Sequence, residues 1–248
     1  MTSRAPHDII QATHSTQAIG AAFYFNPSTI EYGKQQLGID GFRFYFLGRG
    51  GVLGDVDADV VRCAFGYFEP GLLRKMWESA VARSALGPRD TARAYLGCAH
   101  DFGRARFAEL PGLDAFVEAA TKVIQAVEGA SLPLFAAVRA EAVPADPPAA
   151  AMHQAVVLRE LRGSVHLLAL TACGMSSAAA HVIRRPDDLE LFGYTADTAP
   201  PVSEADRATW ERAEWLTDEL LTPAYAALSD AEAEALIAGT AAMATALG

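Results

Sequence analysis

A chain of 248 residues with an apolar share of 51% cannot be generally disordered, and it is long enough for one large domain or two small ones. Thirty acidic against 20 basic side chains give a net charge of −10, which argues against sequence-independent nucleic-acid binding, because that needs a basic face to displace counterions. No apolar run reaches the roughly 18 residues that cross a bilayer, and the start MTSRAPHDIIQATHST has no apolar signal core.

Cys63, Cys98 and Cys173 are scattered and odd in number, so neither a disulfide framework nor a zinc cluster is expected. The expectation is a cytoplasmic protein with no membrane, metal or nucleic-acid partner.

Taken in chain order, the apolar periodicity predicts helices over Asp8–Phe25 and Ser28–Leu37, the second opened by a Ser28/Glu31 capping box. Phe42-Arg-Phe-Tyr-Phe-Leu47 alternates like a strand, but no partner strand exists for it, so a helix or irregular wall is preferred. Gly-rich LGRGGVLG (47–54) reads as a turn, since it lacks the features of a phosphate loop. Helices follow over Asp57–Phe68, Gly71–Arg83, Pro88–Glu109 and Leu113–Glu128. Pro144–Pro148 reads as a linker, and beyond it lie a long apolar helix around Met152–Leu170, then Ser203–Ala227 and Asp230–Leu247. The fold class is therefore all-α: a multi-helix bundle with one internal pocket. Its expected division is a body over residues 1–182 and a C-terminal helical segment, 183–248, packed on it.

The segment MHQAVVLRELRGSVHLLAL (152–170) carries charge through what should be interior. Burying charge is costly unless it is paired, and that cost is often tolerated at functional sites. At 100° per residue, Arg159, Arg162 and His166 share one stripe, while His153 and Glu160 form another on roughly the opposite side. Arg159 and Arg162 suit an anion, and His166 suits proton transfer; an internal salt-bridge network is the competing reading. Ten aromatics clustered at residues 23–25, 42–46 and 65–68, among them Tyr24, Tyr45 and Tyr67, could wall a ligand cavity, with Arg43 and Arg49 as polar contacts. His153 is a further candidate contact. Glu69, before Pro70, is a candidate base or a simple turn residue. His153 and His166 face apart, so a shared metal or haem is not expected.

Tyr24-Phe25-Asn26-Pro27, then GFRFYFLGRGGVLGDVDADVV, FGYFEP and PLFAA before LRELRGSVH, appear in an order that resembles the SalK-like family of actinobacterial proteins. The resemblance spans about residues 15–180 and implies an α-helical body with an Arg-x-x-Arg-Gly-Asp-x-His pattern in its central helix. Here that pattern falls on Arg159, Arg162, Gly163, Ser164 and His166, with Ser164 in place of Asp. Glu69 and Gly20 stand where the family tends to have His. The winged helix-turn-helix usual in that family has no room in residues 182–202.

Together these readings point to a cofactor-independent enzyme of actinobacterial natural-product metabolism. It would act by acid/base chemistry on a small, largely apolar substrate bearing an anionic or carbonyl group. His166, Arg162 and Glu69 would be catalytic, and a homodimer is possible. The alternative is a non-catalytic small-molecule-binding protein descended from a helix-turn-helix regulator.

Overall fold

A computed structural model describes residues 4–248; Met1–Ser3, part of the stretch read as lacking a signal core, lie outside the described residues. Among the described residues there are thirteen α-helices and no strand, with 72% helix. The all-α expectation holds.

The predicted first helix is broken into α1 (Pro6–Ala12) and α2 (Thr16–Ile19). The cause is the Thr13-His-Ser-Thr16 run: Thr13 Oγ1 donates to Ile9 O and Thr16 Oγ1 to Thr13 O, each at 2.8 Å. Such side chains compete with the helical ladder. α3 (Pro27–Leu37) starts on an Asn26 cap, whose Oδ1 accepts from Ser28 N at 3.1 Å, with Pro27 at the first turn. The Ser28/Glu31 box is not used.

Phe42–Leu47 lies inside α4 (Gly41–Gly50), capped by Asp40. Its strand-like alternation arises because Phe44, Tyr45, Phe46 and Leu47 are all buried, so no polar face marks the helical period. The glycine run beyond it completes α4 and a single 3-10 turn, Gly51–Leu53, and is not one open turn. α5 (Ala58–Phe65) stops at Gly66, short of the predicted Phe68, and Tyr67 follows with φ 46°. A non-glycine residue there is strained.

The bundle continues with α6 (Pro70–Arg83), α7 (Pro88–Phe107), α8 (Leu113–Gln125), α9 (Pro133–Val138) and α10 (Pro147–Ala172). Residues 149–158 of α10 are buried without interruption, and α2, α7, α8, α9 and α12 (Glu204–Tyr225) surround the helix. The prolines read as a linker instead open α10, with Pro147 in the first turn and Asp146 accepting from Ala149 N. Two glycines let backbones approach α10 closely. A Cβ on Gly20 would lie 2.6 Å from Ala155 O, and one on Gly103 would lie 2.5 Å from Pro148 O.

After the four residues Cys173–Ser176, α11 (Ser177–Arg184) leaves α10 at 113°. Between α11 and α12 there are only the single 3-10 turns Pro186–Asp188 and Glu190–Phe192. α12 and α13 (Asp230–Leu247) each begin with a complete capping box, Ser203/Asp206 and Ser229/Glu232. Leu221, Leu236 and Met243 from these two helices enter the same main core as the body. Among the described residues no single helix is long and apolar enough to cross a membrane.

Because the atom opposing Gly20 is a backbone oxygen, it cannot turn aside. Gly20→Ala is expected to destabilise the fold by about 1–3 kcal/mol, the usual cost of overpacking. Denaturant unfolding followed by circular dichroism measures this; a variant as stable as the parent contradicts the close α2–α10 packing.

Candidate functional site

Glu160, 2% exposed, is the hub of a buried network on α10. Arg49 of α4 clamps it with two bonds, Nε to Oε1 at 2.7 Å and Nη2 to Oε2 at 2.8 Å. Arg159 Nη1 donates to Oε1 at 3.1 Å, and Tyr24 Oη donates to the same oxygen at 3.2 Å. Arg49 also donates to Tyr45 Oη at 3.2 Å and lies over the Phe65 ring, while Arg159 lies over the Tyr24 ring at 5.0 Å. Burial alone would raise the Glu160 carboxyl; the Arg49 charge and hydrogen bonds, helped by Arg159 and Tyr24, hold it below the usual carboxylate range.

One turn further along α10 a second network reaches α12. Arg162 Nη2 donates to Glu214 Oε2 at 2.6 Å and stands 3.9 Å from Asp218 Oδ1. His166 Nδ1 lies 2.9 Å from Thr217 Oγ1, and that hydroxyl is 2.7 Å from Ala213 O. A hydroxyl has one hydrogen. Donated to the Ala213 carbonyl, it leaves Thr217 able only to accept from His166, so Nδ1 carries the imidazole proton. Nε2 is then a free lone pair, 3.5 Å from Glu214 Oε1. Burial lowers the His166 pKa, and Arg162 adds to this against the opposing pull of Glu214 and Asp218. The ring is therefore a neutral base near pH 7.

Tyr67 lies within electrostatic range of both networks, with Glu214, Arg162, Arg49 and Arg159 all acting on its hydroxyl. Burial raises its pKa, so it remains an O–H donor. Arg159 Nε, Arg162 Nε and Asp218 Oδ1 are buried without a hydrogen-bond partner, and unpaired buried polar groups are costly unless something fills them.

Other expected residues lie elsewhere. Arg43 is tied to Asp40 and Ser79. Glu69 caps α6, accepting from Leu72 N at 2.7 Å, so its carboxylate already has a structural role. His153 turns toward α7, where Nδ1 meets His100 Nε2 at 3.0 Å, and its Nε2 is a buried orphan. Glu160 is not on the far side from Arg159 but bonded to it. The expected single pocket is also corrected. The internal cavity borders Tyr24, Tyr95, Arg49 and Glu160 but not Arg159, Arg162 or His166, and at about 20 Å³ it has room for about one water. The polar groups missed in the sequence are Glu214, Thr217 and Asp218. Their spacing of three and four puts them on one face of α12, a pattern that a solvated helix shares.

A family described as a helix-turn-helix family matches residues 10–201, most of the chain. No curated protein and no solved structure matches it.

Removing the hub carboxylate strands Arg49 and Arg159. Glu160→Ala is expected to cost about 3–5 kcal/mol, as when one member of a buried ion pair is deleted, and urea unfolding reads the loss directly.

The His100–His153 pair makes the fold acid-sensitive. Burial, then His100, lowers the His153 pKa from 6.5 to about 4, and burial also lowers that of His100. The unfolded chain takes up these protons first, so stability falls as pH drops below 6.5 and keeps falling to about 4. Melting temperatures across that range should decline less steeply in His153→Leu; an unchanged slope contradicts the assignment.

Proposed function

We propose that this chain, which belongs to the helix-turn-helix family, is a small-molecule enzyme that moves a proton with His166 and does not read DNA. The observation that carries the reading is the seating of His166, with Nδ1 2.9 Å from the Thr217 hydroxyl and Nε2 3.5 Å from Glu214, the partner of Arg162. The substrate class that fits is a small, largely apolar molecule with a carbonyl or carboxylate. Its oxygen would take the unpaired Nε donors of Arg159 and Arg162 and the Tyr67 hydroxyl. His166 Nε2 would take a proton from the carbon beside the carbonyl. The C–H electrons move to oxygen as an enolate facing the guanidinium groups, and Glu214 stabilises the imidazolium. Returning the proton to another carbon gives isomerisation, and expelling a leaving group gives elimination; neither step needs a bound cofactor. The SalK-like resemblance supports a place in actinobacterial natural-product metabolism.

Several features support the absence of DNA reading. The net charge is −10. The four-residue turn and 113° crossing of α10 and α11 match a helix-turn-helix corner, but α11 has only eight residues, SAAAHVIR, of which Arg184 alone is an exposed base-reading side chain. Arg185, just beyond it, pairs with Asp188.

A second reading, a non-catalytic binder of regulator ancestry, is favoured by the carboxylate partner that each of Arg49, Arg159 and Arg162 already has. Incubating the purified protein with actinobacterial metabolite extract, followed by untargeted mass spectrometry, separates the two. The enzyme reading expects a compound consumed by the parent and about 10²–10⁴-fold more slowly by His166→Ala, with its melting temperature nearly intact. Arg162→Ala should lose both activity and about 3–5 kcal/mol of stability. A compound captured but never consumed establishes the binder instead. If His166→Ala melts as early as Arg162→Ala, the histidine is a structural hydrogen-bonding residue.

A further inference from the structure

His166 and Asp218 are 7% and 6% exposed, so a small molecule reaches them only if part of their surroundings moves. α10 and α12, which carry them, are long helices held by internal backbone bonds. Residues 189–199, which join α11 to α12, are different: their only helical piece is the single 3-10 turn Glu190–Phe192. This strap leads to the site through three rings in series. Phe192 lies flat on Phe68, with ring centres 4.3 Å apart and planes at 17°, and its centre is 4.0 Å from that of His181. The His181 ring is in turn 6.5 Å from the Tyr67 ring. Tyr67 packs on Ala169, Leu170 and Ala213, which belong to the helices of His166 and Glu214. Phe192 is thus the outer member of a series whose inner end is the hydroxyl assigned above to the substrate oxygen.

The strap has little to hold it down. Among the described residues, one backbone hydrogen bond ties it to the helices beneath, Glu69 N–H donating to Phe192 O at 2.9 Å. Gly193, at φ 89°, lets its backbone lie against α6, where a Cβ would come within 2.8 Å of Leu72 Cβ. Leu191 points the other way and is 55% exposed. Segments with few polar ties and one face in water open locally at low cost. Closure also carries two penalties that lifting relieves. His181 Nε2 is buried under Phe192 with no hydrogen-bond partner, and opening gives it water. Tyr67 is held at φ 46°, a strain that a freed turn can relax.

We propose that residues 189–199 form a lid, seated by Phe192, whose lifting admits a small molecule to Tyr67 and His166. The lid rests on the reading of that site as one that takes a small molecule, and its test needs no turnover.

Diethyl pyrocarbonate labels neutral imidazole nitrogens, and peptide mass spectrometry on the full chain follows each histidine separately near pH 7. Labelling of a covered nitrogen tracks the population of the open state when opening is fast. In the parent, His166 and His181 are expected to label more slowly than the exposed His14. Phe192→Ala should speed both by about tenfold, the upper worth of one aromatic stack, and leave His153, buried between α7 and α10, unchanged. The lid is overturned if His166 keeps its parent rate while His181 accelerates, because the strap then covers α11 alone, or if neither rate changes. Should His153 accelerate as well, the variant has loosened the whole fold. Phe192→Leu, which keeps the apolar bulk and loses the stack, then decides: His166 and His181 must accelerate with His153 unchanged, or the lid is wrong. Labelling that responds to Phe192 while no metabolite is consumed keeps the lid and removes the enzyme reading. Turnover by a parent whose His166 labelling ignores Phe192 does the reverse.

Discussion

The constraint on which the rest of the fold depends is that α10 is wrapped by helices on nearly every side yet carries Arg159, Glu160 and Arg162. Ions taken from water keep their charge inside a protein only when partners replace the lost hydration. Arg49 is therefore as much a part of this helix as Glu160, although 111 residues separate them in sequence. α4 must lie where its guanidinium reaches Glu160, and α12 must lie where Glu214 reaches Arg162. The packing of these three elements is thus fixed in rotation as well as in distance. Hydrophobic contact alone, which has no direction, would not do this.

Much of the architecture was legible because local chemistry and tertiary packing agree. Ser203/Asp206 and Ser229/Glu232 cap the helices their spacing announces, and the special role of the central helix follows from charges placed among leucines and valines. The failures have specific causes. Thr13 and Thr16 break the first helix through side-chain bonds that hydrophobic periodicity does not register. The aromatic run in α4 hides its period because it is buried all round. Prolines taken for a linker are equally suited to a helix start, and Pro147 serves as one.

The site was legible only by half. An ideal wheel does bring Arg159, Arg162 and His166 to one side, but it says nothing about which carboxylates meet them. Those partners come from α12, a helix whose glutamates look solvated when read alone. His153 illustrates the converse: its residue type suggested ligand binding, whereas its place opposite His100 makes it part of the α7–α10 contact. The helix-turn-helix family match runs over the helical body and past the α10–α11 corner.

The Thr217 hydroxyl gives this interior a polarity. With its hydrogen committed to the Ala213 carbonyl, the series from His166 through Thr217 to Ala213 runs in one direction only. Reversing it would leave the carbonyl facing a lone pair and the imidazole without its donor role. The ring therefore donates through Nδ1 to Thr217 and keeps its Nε2 lone pair, 3.5 Å from Glu214 Oε1. A helical register that places threonine four residues after Ala213 thus sets which nitrogen of the ring is protonated, by the backbone and not by the acidity of any group.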